Sequence, residues 1–166
     1  MKRFLILLCA ACLGCSLAWA QYEKTPWPNG HKIPPLVFKD VTGQVFDLSQ
    51  MRGKKIILNV WATWCAPCKE ELPNLQVFSD LQDPAKVVVL TLNVKEPPSR
   101  AQRFMQSQQI SLPLISDPKG EWAQKLGIKV FPSTLLIDSQ GQIKWRIVGE
   151  VDWTAAEPQA WVNSLR

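Results

Sequence analysis

The sequence predicts an α/β domain with a central mixed β-sheet flanked by helices and an extra hairpin at its N-terminal side. Three observations point there. Residues 55–62, KIILNVWA, and 86–94, KVVVLTLNV, are near-continuous apolar runs, as expected of central strands covered on both faces. Between them Leu72, Leu75, Phe78 and Leu81 recur every three residues, which predicts a helix burying one face. The last third changes rhythm. STLLID is followed by a turn at Ser139-Gln140-Gly141 and then by QIKWRIVG, in which Ile143, Trp145 and Ile147 alternate with Lys144 and Arg146, the pattern of an antiparallel hairpin with one covered face.

Taken from the start, Lys2 and Arg3 precede an apolar run from Phe4 to Leu13 and a small-residue close at Ala18-Trp19-Ala20, which predicts a cleavable export signal over residues 1–20. The run falls short of the roughly 20 residues of a spanning helix, so a retained membrane anchor is the second reading. Lipidation at Cys12 or Cys15 is a third, weakened because each has a cysteine three residues earlier where such a signal wants leucine. Residues 21–35, rich in Pro and polar side chains, predict an extended N-terminal arm, and 36–166 the folded domain. Leu36–Phe38 and Val45–Leu48 flank Val41-Thr42-Gly43-Gln44 as a small hairpin. A polar helix is expected over 98–109, opened by Pro98 and Ser99, a shorter one in KGEWAQKLGI, stopped by Gly127, and a closing helix from near Thr154 that turns Trp161, Val162 and Leu165 inward.

The 166 residues, 46% apolar and 20% charged, suit one domain with a full core. Loss of residues 1–20 would lower the formal charge from +5 to +3 and remove Cys9, Cys12 and Cys15, leaving Cys65 and Cys68 as the only thiols. The remaining Lys and Arg are spread among acidic residues, which argues against a nucleic-acid partner.

Four chemistries use a pair like that in WATWCAPCKEELP, residues 61–73. As a staple it closes a four-residue loop, worth about 2 kcal/mol against about 3 for fifteen residues, so stabilisation is a poor reason for it. Zinc asks for about four ligands, and two thiols plus His31 do not complete the set. Haem attachment asks for C-x-x-C-H, and position 69 is Lys. Electron exchange fits: a thiol at a helix start is stabilised as thiolate by unpaired N–H groups and the dipole, which makes Cys65 the expected nucleophile. Cys68, three residues on, is placed to resolve a mixed disulfide, while Pro67 restricts the backbone between them. Pro73 denies the carbonyl of Lys69 its usual helical partner. Trp61 continues the strand and is expected in the core, whereas Trp64, beside the nucleophile, is a candidate shield and partner contact. Lys69 adds positive potential near the thiolate or is simply solvated.

NVWATWCAPCKEELPNL, with the downstream GIKVFPSTLLID, resembles the thioredoxin superfamily and within it the exported branch of TlpA, ResA and cytochrome c maturation (CcmG/DsbE) proteins. The resemblance spans nearly the whole chain from Leu36 and implies a thioredoxin-like fold and an extracytoplasmic, periplasmic thiol:disulfide oxidoreductase. It implies that Pro132 follows a cis bond and faces the cysteines and that Phe131 lines the groove for a partner's backbone; Gly149, after the last strand, has no side chain and is expected to let another chain approach the site closely. Thioredoxin carries a buried acid where this chain has Asn59; in the exported branch a glutamate three after the second cysteine takes that role, and Glu71 matches it. The expected direction is reduction of protein disulfides, in apocytochrome c or in a copper or oxidase-assembly protein, with recharging by a membrane electron donor of the DsbD or CcdA type. No cofactor or metal is implied, and a monomer is expected. Three alternatives stand beside this: a copper(I)-handling assembly factor, whose relatives use wider cysteine spacing and a late histidine; an oxidising disulfide donor; and a peroxiredoxin, which would want threonine at Ala62.

Overall fold

The computed structural model describes residues 22–28 and 35–165. The expected export signal and, within the expected arm, residues 21 and 29–34, His31 among them, lie outside the described residues. Six strands form the main sheet: β1 (Tyr22–Pro26), β4 (Lys55–Trp61), β5 (Val87–Val94), β6 (Leu114–Asp117), β7 (Ser133–Ile137) and β8 (Ile143–Gly149), in the spatial order β1-β8-β7-β4-β5-β6. β4, β5 and β6 run parallel, while β7, β8 and β1 add antiparallel pairs, so the sheet is mixed as expected. A separate hairpin, β2 (Val37–Lys39) with β3 (Val45–Asp47), turns on Asp40, whose Oδ1 accepts the N–H groups of Thr42 and Gln44 at 2.9 Å each. The helices are α1 (Ala66–Asp80), α2 (Pro98–Ser107), α3 (Glu121–Lys125) and α4 (Ala156–Ser164). Among the described residues no helix is long and apolar enough to cross a membrane.

The core follows the apolar runs. Ile56 through Ala62 are buried without a break except for the polar Asn59, itself buried, because β4 has strands on both edges and covering layers on both faces. The closing helix seats Trp161, Val162 and Leu165 inward and starts at Ala156, two residues after the expected Thr154, since Thr154 is held in a turn by Asp152 Oδ1.

Three features differ from the sequence expectation. Tyr22–Pro26, assigned to an extended arm, is an edge strand of the main sheet: it pairs with β8 from Tyr22 opposite Gly149 to Pro26 opposite Trp145. Proline is tolerated at such an edge. Lys24 lies over the ring of Trp145, 3.6 Å from its centroid, and covers what the hairpin alone would leave open. The four-residue strand β6 has no counterpart in the expected element order. Leu81, assigned to the buried face of α1, is its C-cap and 78% exposed. Nine residues at about 100° each carry Leu81 half a turn away from Leu72, so spacing by threes cannot hold one face over that length.

Candidate active site

The loop after β4 leads directly into α1, and the helix begins one residue after Cys65. Cys65 is the N-cap, with extended backbone, and its Sγ accepts the N–H of Cys68 at 3.3 Å. A sulfur at this position meets an otherwise unpaired amide and the positive end of the helix dipole, the arrangement that stabilises a thiolate. Cys65 and Cys68 form a disulfide with Cα atoms 5.3 Å apart. Both are buried, Cys68 almost completely. Pro67 sits exposed in the first turn, where its missing N–H costs no hydrogen bond. The helix continues through Pro73 to Asp80.

Three residues after Cys68, on the same buried face of α1, Glu71 is 1% exposed. Its Oε1 accepts both Trp153 Nε1–H at 2.6 Å and Asn59 Nδ2–H at 3.2 Å, and Asn59 also donates to Thr134 Oγ1 at 3.0 Å. Oε2 meets no protein donor among the described residues. Burial pushes the Glu71 carboxyl up to about 8; the Trp153 hydrogen bond pulls against that and the charge of Glu150 adds to it.

The Phe131–Pro132 bond is cis, and the Pro132 carbonyl accepts the N–H of Gly149 at 2.9 Å. Trp64, 52% exposed, stands edge-on to Phe131, with ring centroids 5.6 Å apart. These two rings, adjacent in the chain to Cys65 and to Pro132, form an aromatic ledge. Gly149 has φ 106, a conformation that favours glycine. It lies opposite Tyr22, so on that edge the close approach is made by the chain's own β1. Trp61 is wholly buried against Phe104, and Lys69 is exposed.

Sequence reasoning missed two sets of partners. Trp153 and Thr134 complete the surroundings of Glu71 but are 82 and 63 residues from it in the chain. Glu96, buried at the end of β5, accepts the Thr63 N–H at 2.7 Å and the Asn93 Nδ2–H at 2.5 Å through Oε1, and the Thr63 hydroxyl through Oε2. The available signal was an Asn-x-x-Glu step where a buried strand ends, followed by two prolines.

The Redoxin family matches residues 28–161. The thiol-disulfide oxidoreductase ResA of Geobacillus thermodenitrificans is 32% identical over 151 residues, covering 90% of this chain and 86% of that protein. Among solved structures, StoA from Bacillus subtilis superposes with a TM-score of 0.68 at 25% identity, over 79% of this chain and 98% of the other. A secreted thiol-disulfide isomerase from Corynebacterium glutamicum does so with a TM-score of 0.68 at 27% identity, over 79% and 85%. The fold is thioredoxin-like, and the chain belongs to the Redoxin family, carrying in Cys65 and Cys68 the redox pair of a thiol-disulfide oxidoreductase.

Proposed function

We propose that this protein is an extracytoplasmic reductase of protein disulfides, with Cys65 as nucleophile, Cys68 as resolving thiol and Glu71 as the group that takes and returns the Cys68 proton. The observation that carries the reading is the asymmetry along α1: a capping sulfur at the helix start, then a fully buried sulfur and a fully buried carboxyl on one face behind it. The Cys65 thiolate attacks one sulfur of a client disulfide, a mixed disulfide forms, and the other client sulfur leaves as a thiolate with the bonding electron pair. Cys68 loses its proton to the Glu71 carboxylate and attacks Cys65 Sγ. The Cys65–Cys68 bond closes and the second client thiolate departs, so two electrons pass from the pair to the client.

With a carboxyl near 8 in the disulfide form, Glu71 keeps that proton at neutral pH. It is then poised as the acid that protonates Cys68 when an electron donor reopens the bond. The Trp64–Phe131 ledge with Pro67 and Pro132 is the surface on which a client backbone would lie, the edge at Gly149 being covered by β1. Apocytochrome c cysteines, or those of a copper or oxidase-assembly protein, suit such a reductant, and a membrane carrier of the DsbD or CcdA type would supply its electrons. The secreted relative and the N-terminal sequence support an extracytoplasmic site, with a periplasmic location the expected one.

The test is the equilibrium reduction potential of the purified protein against a thioredoxin couple, with Cys68→Ser to trap the mixed disulfide. A value near about −270 mV and a trapped client on Cys65 are expected of a reductant. A value near about −120 mV would instead make it a disulfide donor. Tight stoichiometric copper(I) binding with negligible exchange would replace the reading altogether.

A further inference from the structure

The segment that presents the nucleophile, Ala62 to Trp64, belongs neither to β4 nor to α1 and is tied down chiefly through one residue. Thr63 gives both its donors to the carboxylate of Glu96: the N–H to Oε1 at 2.7 Å and the hydroxyl to Oε2. Glu96 is itself fixed. Asn93, paired with Trp61 across the β4–β5 ladder, donates to Oε1 at 2.5 Å, and Arg100 Nε lies 3.8 Å from Oε2. The preceding Lys95 holds φ 57, a left-handed conformation unusual for a side-chain-bearing residue, and its N–H is held by the Asp117 carbonyl at 3.0 Å. The chain thus turns sharply at the end of β5, so that Glu96 is buried against the neighbouring strand's loop.

We infer that Glu96 is a positioning residue for the reaction: by holding both donors of Thr63 it fixes the loop that carries Trp64 and aims Cys65 Sγ, two residues on. This rests on the reading of Cys65 as the attacking group. Length, more than charge, is what the contact requires. A glutamine at 96 would still accept the Thr63 and Asn93 N–H groups through one oxygen and meet the Thr63 hydroxyl with its amide. An aspartate keeps the charge but is one methylene too short to span the same gap.

The experiment compares Glu96→Gln and Glu96→Asp with the parent, using Cys65 alkylation by iodoacetamide across pH in the reduced protein and the rate of reduction of a disulfide-bonded peptide. Glu96→Gln should alkylate within about 3-fold of the parent, whereas Glu96→Asp should lose about 10-fold or more in both rates, since small misplacements of a reacting group are costly. Its apparent Cys65 pKa should rise as the capping geometry loosens. Thr63→Ala, which deletes only the hydroxyl on the other side of the contact, should slow alkylation in the same direction. Near-UV circular dichroism checks that each variant keeps its packing; if Glu96→Asp does not, Thr63→Ala against Glu96→Gln decides. Parent-like alkylation in Glu96→Asp, or in Thr63→Ala should the former be unfolded, overturns the inference. So does a Glu96→Gln variant as slow as Glu96→Asp, which would show that charge is what matters. Because alkylation needs no client, a parent protein that fails to reduce the peptide sinks the proposed function and leaves this comparison readable.

Discussion

Two carboxylates are buried near the disulfide, and the protein treats them in opposite ways. Glu96 uses both oxygens: Thr63 supplies an N–H and a hydroxyl, Asn93 an amide, and Arg100 a nearby charge. Glu71 crowds two neutral donors, from Trp153 and Asn59, onto Oε1 and leaves Oε2 with none among the described residues. Each carboxylate is reached by an asparagine from an adjacent strand, Asn59 on β4 and Asn93 on β5, so the scaffolds are alike and the satisfaction differs. A buried carboxylate with both oxygens engaged is held as an anchor. One left half-satisfied is pushed towards its neutral form and can exchange a proton with what lies beside it.

The sharpest way to break this comparison is Glu71→Gln, which preserves shape and both accepted hydrogen bonds but cannot carry a proton. Resolution of the mixed disulfide should slow by about 100-fold, the lower range of general acid–base contributions, and lose its pH dependence. Stopped-flow release of the client thiol measures it, and an unchanged rate would remove Glu71 from the chemistry. The same variant tests stability. In the disulfide form the Glu71 carboxyl is raised from 4.5 to about 8, so the folded state binds the proton more tightly than the unfolded one. That stabilisation is complete below pH 4.5 and is lost as pH rises through about 8. Urea midpoints of the parent should fall across this window, and those of Glu71→Gln should stay closer to level.

A smaller effect is expected from Trp153→Phe, which keeps a ring against Phe78, now 5.2 Å away, and deletes the donor to Oε1. Loss of a bond that favours the charged form should move the Glu71 carboxyl further up, seen as a shift to higher pH in the resolution-rate profile. Leaving a buried acceptor short of a partner should also cost about 1–3 kcal/mol in urea unfolding. A shift to lower pH would mean that Trp153 acts by shielding the site and not through its N–H.

How far the sequence reached follows chain distance. Cys65, Pro67 and Cys68 lie within four residues and are legible from their spacing, while Glu71, three residues further on, was marked by the family resemblance, and the helix places it on one face with Cys68. The continuous apolar run of β4 likewise announced a covered central strand. What escaped reading is what the fold brings from afar. Trp153 reaches Glu71 across 82 residues, Glu96 reaches Thr63 across 33, and Tyr22–Pro26 finds β8 at the far end of the chain. No local pattern marks Trp153 as a partner of Glu71, the Asn-x-x-Glu step points to Glu96 without pointing to Thr63, and in β1 proline and polar residues actively disguise an edge strand. Leu81 failed for a different reason: a period of three drifts from the true period of 3.6, so a short stretch reads correctly while its end does not.

The smallest expected effect sharpens the other half of the comparison. Arg100 forms an ion pair with Glu96, but its side chain is 61% exposed and the contact is 3.8 Å, long for a charge-assisted hydrogen bond. If Glu96 is anchored by Thr63 and Asn93, Arg100→Ala should cost only about 0–1 kcal/mol in urea unfolding, as exposed ion pairs do, and leave Cys65 alkylation at the parent rate. A loss of about 3 kcal/mol or a slowed alkylation would show that the anchor is ionic. The contrast between the two carboxylates would then lie in a paired charge against an unpaired one, and the count of hydrogen bonds on each oxygen would no longer explain it.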